Sequence, residues 1–414
     1  MSRNNKNSTD TATSMGPWPL SELSQGRKSL KATTALDKEK FKGDRKNPSY
    51  AIDADVEGTL NAVDRTDDDL TVLDLGKKYV DVFGDIGLVI VDLSGTMFQD
   101  LHPPLKPYAG AMEAFQLLKN TGIMVMLVTN SWKSSKKSIV DLLNSGGYDV
   151  STEDIFTSSD ACKQYLRANN LQRPYYLVEE DVLQDFAAEY HRRFDEDCVI
   201  IGVPSTQFDY RLLSKGMNLL MNGAPMIALN LMKRSVSPDV RNVFLGPGPF
   251  ASMLTFCSDS EPVTMCKPYK EFYDALCKKI GWSDLDYSKV LVIGDDINED
   301  IVGAKALGMK AILTRTGSYQ VNDERTVCTG LTPDATVENF ALAIRCVLAA
   351  QAVSQMTEDD FIQEEKSSRG CGSDLTASQD QVLTKKMQGY LNADYKSQRN
   401  TGCSNVVKLP SYIW

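Results

Sequence analysis

The stretch Leu88-Val89-Ile90-Val91 is a continuous apolar run that ends on the carboxylate of Asp92. Such a run, without polar alternation, is typical of a strand buried on both faces in a parallel sheet covered by helices. Asp92 would then lie at the carboxyl end of its strand, where open α/β sheets bind ligands. This aspartate can be a nucleophile, a metal ligand or both, or it can simply cap a turn or helix after a core strand.

The apolar pattern returns at 123–128 and 290–293, and helical patterns at about 111–120 and 134–144 follow the first two runs. Strands and helices that alternate with short loops predict an α/β fold with a doubly wound, Rossmann-like parallel sheet. The middle of the chain has strands and helices of its own, which predicts an α/β cap inserted into a split core. The predicted segments are a polar N-terminal extension (1–80), a first core segment (81–154), the α/β cap (155–262), a second core segment (263–352) and a polar C-terminal tail (353–414).

Composition excludes several classes of partner. The net charge of −10 and the lack of a basic stripe argue against nucleic acid, and no apolar run is long enough to cross a membrane. Nine cysteines without CxxC spacing predict reduced thiols, and we expect a cytoplasmic protein ahead of an organellar one. With only two histidines in the chain, carboxylates are the expected catalytic groups.

Four polar groups follow apolar strands or precede helices in an order that indicates phosphoryl transfer. Carboxylates at adjacent strand ends, here Asp92 and the pair Asp295-Asp296, can share Mg²⁺. The hydroxyl of Thr129 and the ammonium of Lys267 can hold phosphate oxygens while an aspartate attacks in line. Taken singly, each has a plain alternative: a strand-end hydroxyl, a solvated lysine, or an acidic cluster at 295–300 that caps its helix.

These groups resemble the four motifs of the haloacid dehalogenase superfamily. The matching residues are Asp92-Leu93-Ser94-Gly95-Thr96, Thr129-Asn130, Lys267-Pro268, and Gly294-Asp295-Asp296 with Asp300. The position of the cap, and its phrases Asn222-Gly223-Ala224-Pro225 and Leu245-Gly246-Pro247-Gly248-Pro249-Phe250, are similar to the NagD-like subgroup. The resemblance covers about 85–350 and neither tail.

The resemblance implies a Mg²⁺-dependent phosphohydrolase in which Asp92 becomes an aspartyl phosphate. It implies a metal site made by Asp92, the Ser94 carbonyl and Asp295, with support from Asp300 and Asp296. It also implies a phosphate site, which we assign to Ser94, Gly95, Thr129, Asn130 and Lys267. Lys233 and Arg234 of the cap are further candidates for a substrate anion, although two adjacent charges also suit a solvated surface.

Ser94 departs from the superfamily pattern, which usually has an acid–base aspartate two residues after the nucleophile. Serine cannot donate a proton near neutral pH, and general acid–base help is typically worth ~10² to 10⁴ in rate. We therefore expect slow turnover of alkyl phosphates. The preferred substrates would have leaving groups that need little acid, such as pyrophosphate or the P–N bonds of phosphohistidine and phospholysine.

Two hypotheses follow. The first is an enzyme acting on a small phosphorylated substrate or a phosphoamino acid. The alternative is a catalytically weak protein that serves a larger assembly through its polar tails, the second of which ends in the apolar segment 409–414. A homodimer is a further candidate assembly. The presence of Asp92, Thr129, Lys267 and Asp295 together favours the enzyme, because a scaffold has no use for all four.

Overall fold

A computed structural model of the chain describes residues 67–186, 195–203, 209–236, 243–282 and 286–356. His191 and most of the two predicted tails, including the apolar end 409–414, lie outside these residues.

The described residues form two parallel sheets and one antiparallel ribbon. Numbered along the chain, the strands are β1 (Leu88–Asp92), β2 (Met124–Thr129), β3 (Ile155–Thr157), β4 (Pro174–Leu177), β5 (Cys198–Ile201), β6 (Met226–Ala228), β7 (Arg234–Val236), β8 (Val243–Leu245), β9 (Pro262–Thr264), β10 (Val290–Gly294), β11 (Lys310–Thr314) and β12 (Ala335–Val337). The core sheet has the order β12-β11-β10-β1-β2-β3, and the cap sheet has the order β4-β5-β6-β9. Because strands from both ends of the described chain build one core sheet around the cap, the predicted fold class is confirmed.

Nine α-helices lie among the described residues and pack on the two sheets. They are α1 (Val72–Phe83), α2 (Ala111–Lys119), α3 (Lys136–Ser145), α4 (Ser158–Ala168), α5 (Tyr210–Met221), α6 (Gly248–Ser258), α7 (Lys270–Ile280), α8 (Gly303–Ala306) and α9 (Phe340–Ser354). One face of the sheet packs against α1, α2, α3 and α9, and the other against α4 and α7. Among the described helices, none combines the length and hydropathy that a membrane crossing needs.

The cap sheet is packed on both faces as well. Its outer face is covered by α5 and α6. Its inner face places Tyr176, Ile200 and Ile227 in the same hydrophobic cluster as Leu88 and Ile90 of β1. Core and cap therefore share a portion of one interior, and the cap is not packed as an independent module.

The predicted N-terminal extension differs from the structure, because its last portion is helix α1. The side chains of Val72, Leu75, Tyr79 and Phe83 are buried against α9, and Thr71 caps the helix by accepting from the backbone N–H of Asp74. Gly76 lies at the helix crossing, where a Cβ would come within 2.4 Å of Val353. Charged residues on the exposed face and this glycine interrupt the apolar period, which is why no helix was predicted here.

The predicted start of the cap also differs. Strand β3 pairs in parallel with β2, from Leu127 with Ile155 to Thr129 with Thr157, so it belongs to the core sheet. Helix α4 follows directly and packs against the core helix α7. At the other end, β9 lies in the cap sheet up to Thr264, two residues beyond the predicted boundary. Strands of three residues are too short to show a period that would assign them to a sheet.

Candidate active site

Three buried carboxylates meet at the carboxyl edge of the core sheet. Asp92 ends β1 and Asp295 follows β10, and these strands are parallel neighbours in which Val91 pairs with Ile293. Asp300 comes from the π-helical turn Ile297–Val302 that follows β10. One oxygen from each of the three carboxylates lies within 4.8 Å of the others. Neighbouring strand ends thus concentrate negative charge at one buried point.

Lys267 supplies a positive charge to this cluster. Its Nζ donates to Asp92 and, at 2.6 Å, to Oδ1 of Asp300. Burial alone would lower the pKa of Lys267, but the charges of Asp300 and Asp92 raise it well above its ordinary value. Burial raises the pKa of Asp92, and the charge of Lys267 opposes that shift. The lysine is thus a protonated ion-pair partner inside the site, and the alternative of a solvated surface lysine is wrong.

Asp295 is held from two sides. Its Oδ1 accepts from the Thr96 hydroxyl at 2.8 Å, and its Oδ2 accepts from the backbone N–H of Ser318 at 2.7 Å. A Cβ on Gly95, whose φ is +93°, would lie 2.2 Å from Oδ2, so only glycine allows this approach. Burial, followed by the charge of Asp300, raises the pKa of Asp295 to about 7.

Asp296 caps a helical turn, and its predicted support of a metal site stays a prediction. Its Oδ1 accepts from the backbone N–H groups of Asn298 and Glu299, at 2.8 and 3.0 Å, and so caps the π-helical turn. Its own backbone N–H donates to Oδ2 of Asp300. Asp296 therefore makes the contacts of a helix cap, while Asp295 and Asp300 belong to the cluster.

The predicted phosphate-binding residues of the first two motifs lie at the same edge. Ser94 is exposed and lies two residues after the end of the strand that carries Asp92. Thr129 ends β2, which neighbours β1, and its Oγ1 accepts from the backbone N–H of Ser131 at 3.1 Å. Their contact with a phosphate stays a prediction.

The Asn130 side chain faces protein groups, and the predicted contact of Asn130 with phosphate stays a prediction. Its Oδ1 accepts from the backbone N–H of Lys267, and its Nδ2 donates to the Lys267 carbonyl, both at 3.0 Å. Nδ2 also donates to Oε2 of Glu299 at 2.8 Å. Burial raises the pKa of Glu299 to about 7 against the opposing charge of Lys267. Asn130 therefore supports the lysine.

Lys233 and Arg234 are exposed on the cap, and Arg234 begins strand β7. Within the described ranges, neither side chain has a hydrogen bond or ion pair with the carboxylate cluster. The solvated-surface alternative suits this placement.

The predicted set lacked several residues that contact site residues, among them Thr96, Asn230, Glu299 and Ser318. Thr96 and Glu299 lie inside predicted motifs. Asn230 ends an apolar run, as Asp92 does, so the same strand-end rule indicates it. Ser318 lies in the loop after β11, where sequence shows no pattern.

Comparison with known proteins agrees with this architecture. Residues 89–192 match a family model described as haloacid dehalogenase-like hydrolase, and residues 264–343 match a second model described as HAD-hydrolase-like. Haloacid dehalogenase-like hydrolase domain-containing protein 2 of Rattus norvegicus is 35% identical over 260 residues, which is 63% of this chain and 95% of the relative. Phospholysine phosphohistidine inorganic pyrophosphate phosphatase of Xenopus laevis is 27% identical over 268 residues, 64% of this chain and 96% of the relative.

Solved structures share the fold at lower identity. A 4-nitrophenylphosphatase from Thermotoga maritima superposes with a TM-score of 0.57 at 22% identity, covering 64% of this chain and 99% of the other. NagD from E. coli K-12 superposes with a TM-score of 0.55 at 20% identity, covering 62% and 97%. Given its motifs, its inserted cap and these relatives, the chain belongs to the haloacid dehalogenase-like hydrolases, and it shares the fold of NagD.

Proposed function

We propose that the protein is a Mg²⁺-dependent phosphohydrolase that forms an aspartyl phosphate on Asp92. The proposal is carried by one observation: Lys267 bridges Asp92 and Asp300 within a buried group of three carboxylates. Three buried carboxylates facing one lysine leave an excess of negative charge, which a folded protein usually compensates with a cation. The names of the phosphatase relatives support the same class of reaction.

The donor set fits Mg²⁺, which prefers carboxylate oxygens and keeps room for water and phosphate. Asp92 and Asp295 would hold the ion together with the Ser94 carbonyl, and Asp300 would support them. Thr96 and the Ser318 N–H each use one lone pair of an Asp295 oxygen, so both oxygens retain a free lone pair. The bound ion would reduce repulsion between the carboxylates and the oxygens of the phosphate.

In the proposed reaction, a carboxylate oxygen of Asp92 attacks phosphorus, and the bond between phosphorus and the leaving group breaks. Lys267 has three N–H donors and uses two on Asp92 and Asp300, so one remains for a phosphate oxygen. The Thr129 hydroxyl accepts from Ser131 and keeps its proton for a second phosphate oxygen. Water then hydrolyses the acyl phosphate, which releases phosphate and restores Asp92.

We propose that Ser94 selects the leaving group. The side chain two residues after Asp92 is a hydroxyl, so it provides no acid for an alkoxide. Pyrophosphate releases phosphate, phosphohistidine releases an imidazole and phospholysine releases an amine, and solvent can protonate both nitrogen groups. The name of the relative from Xenopus laevis includes all three substrates.

The deciding experiment measures hydrolysis of p-nitrophenyl phosphate, pyrophosphate and phosphohistidine with Mg²⁺. Asp92→Asn should abolish turnover, while Asp141→Asn, which removes an exposed carboxylate from α3, should leave it unchanged. Turnover that survives Asp92→Asn would falsify the aspartyl-phosphate mechanism. A wild-type protein that hydrolyses none of the three substrates would favour the alternative of an interaction protein.

A further inference from the structure

We propose that Asn230 of the cap is a positioning residue for Lys267 and acts through Asn130. This inference rests on the proposed phosphohydrolase function, in which Lys267 binds the phosphate. The cap would then help to build the phosphate site, besides any contact it makes with the rest of the substrate.

Asn230 lies two residues after the end of β6 and is only 1% exposed. Its Nδ2 donates to the backbone carbonyl of Asn130 at 2.8 Å, and its Oδ1 accepts from the backbone N–H of Met232 at 2.5 Å. Both ends of the buried amide therefore have partners, which restricts the side chain to one orientation. Where water is excluded, removing the donor or the acceptor of a hydrogen bond leaves the remaining group without a partner, which costs free energy.

Asn130 transmits this constraint to the lysine. Its side-chain amide pairs with the N–H and the carbonyl of Lys267 at once, both at 3.0 Å. Two antiparallel hydrogen bonds fix the rotation of the Lys267 backbone as well as its distance. The same amide donates to Glu299, which keeps Asn130 from turning away.

The topology explains why such a constraint is needed. The carboxylates of the site come from core strand ends and from the turn after β10, whereas Lys267 follows β9, the edge strand of the cap sheet, by three residues. Strand β6 neighbours β9, with Ala228 paired to Thr264, so Asn230 and Lys267 leave the cap side by side. The bond from Asn230 to Asn130 joins these cap strand ends to the carboxyl end of core strand β2.

A second contact joins the same core loop to the cap. Trp132, two residues after Asn130, is 7% exposed and packs in the cap cluster that contains Leu177 and Val199. The loop after β2 is therefore attached to the cap by an apolar side chain and by a hydrogen bond. Of these two attachments, only the hydrogen bond from Asn230 involves Asn130, whose side chain holds the backbone of Lys267.

The test compares Asn230→Ala with Asn218→Ala, a matched cap variant whose amide donates to the Ser214 carbonyl on the exposed face of α5. Calorimetry would measure the affinity for inorganic phosphate at saturating Mg²⁺ and, separately, the affinity for Mg²⁺ alone. For Asn230→Ala we expect phosphate binding to weaken about tenfold, the size of effect of one buried hydrogen bond, with Mg²⁺ affinity within about twofold. Asn218→Ala should change neither.

A double variant tests the path. If Asn230 acts through Asn130, adding Asn230→Ala to Asn130→Ala should weaken phosphate binding by less than about twofold further. Should Asn230→Ala fail to fold, Asn230→Asp keeps the volume but removes the donor, and the same loss is expected. Phosphate affinity within twofold of wild type in a folded Asn230 variant overturns the inference. The inference also fails if the loss of phosphate affinity in the double variant equals the product of the losses in the two single variants.

The binding measurements also separate this inference from the proposed function. A wild-type protein that binds phosphate with Mg²⁺ but hydrolyses no substrate would contradict the proposed catalysis, and the Asn230 variants would still decide the positioning role. A wild-type protein that binds no phosphate would overturn both. Where turnover is present, kcat on pyrophosphate should fall about tenfold in Asn230→Ala, because Lys267 also contacts the nucleophile Asp92.

Discussion

The core sheet and the cap sheet are built alike, but they end in different residues. Both are parallel and carry apolar side chains on both faces. The core strands β1, β2 and β10 lead into Asp92, Thr129 and Asp295, whereas the cap strands β4 and β5 lead into Val178 and Gly202. A buried parallel sheet therefore defines the fold, while the residues just beyond its strands define the chemistry.

The cap sheet also supplies polar residues to the site. Its two neighbouring strands β6 and β9 lead to Asn230 and Lys267, and both reach the core. The core edge supplies three carboxylates, and the cap edge supplies the cation that joins two of them. The division of charge between the sheets suggests four measurements, in order of decreasing effect.

Removing the cation from the cap edge should have the largest effect. Lys267→Met should lower kcat/KM by about 10³, as loss of a buried donor to a reacting group does. Without metal it should also reduce the free energy of unfolding by about 3–5 kcal/mol, because buried carboxylates lose their partner. Lys270→Met removes an exposed ion pair with Asp274 and should cost less than about 1 kcal/mol. Equal losses of stability in the two variants, measured by urea unfolding with EDTA, would contradict the buried pair.

Adding a carboxylate to the core edge should change substrate choice. Ser94→Asp restores an acid at the position where the superfamily usually has one, and Ser94 is exposed, so the larger side chain has space. We expect kcat/KM on ethyl phosphate to rise about 10²-fold relative to pyrophosphate. Ser252→Asp adds the same charge to an exposed position of the cap helix α6 and should leave the ratio unchanged. An unchanged ratio in Ser94→Asp would show that the serine does not select the leaving group.

A matched pair of glycines compares the helices that cover the two sheets. On α1, a Cβ at Gly76 would meet Val353 at 2.4 Å and the Ala349 carbonyl at 2.7 Å, so Gly76→Ala should cost about 1–3 kcal/mol. On cap helix α5, a Cβ at Gly216 would meet side-chain atoms alone: the end of Leu177 at 3.1 Å and the ring of Tyr175 at 3.7 Å. Helix propensity favours alanine by about 1 kcal/mol, so Gly216→Ala should be neutral or stabilising in urea unfolding. A neutral Gly76→Ala would mean that α1 does not pack closely on α9.

The smallest expected effect is a change with pH in how much Mg²⁺ stabilises the folded protein. The pKa of Asp295 is about 7 in the folded chain and 3.8 as its ordinary value, so without metal its contribution to stability is lost as the pH rises from 4 through 7. Mg²⁺ bound at Asp295 would replace the proton, and its stabilising effect should therefore be larger at pH 8 than at pH 6. We expect a difference in the Tm shift of about 2–4 °C, measured against EDTA controls. The same shift at both pH values would argue against metal binding at Asp295.

Several elements could be predicted because their patterns are local. The apolar runs that became β1, β2 and β10 have no polar interruption, and the helical patterns at about 111–120 and 134–144 became α2 and α3. Helix α1 could not be recognised, since Gly76 and the exposed charges obscure its stripe until α9 is packed against it. Strand β3 has only three residues, and its sheet is decided by pairing with β2.

The site divides in the same way. Sequence alone determined that acidic residues follow buried strands and that a threonine and a lysine lie in the same set of motifs. Strand ends and motif spacing can be recognised from neighbouring residues in the chain. Only the tertiary structure decided that Asp296 caps a helical turn, that Asn130 holds the backbone of Lys267, and that Asn230 reaches Asn130 from the cap. Some of these contacts join residues that lie up to 137 positions apart in the chain. In others, a polar side chain has several chemically similar partners within the sequence, and packing decides which of them it meets.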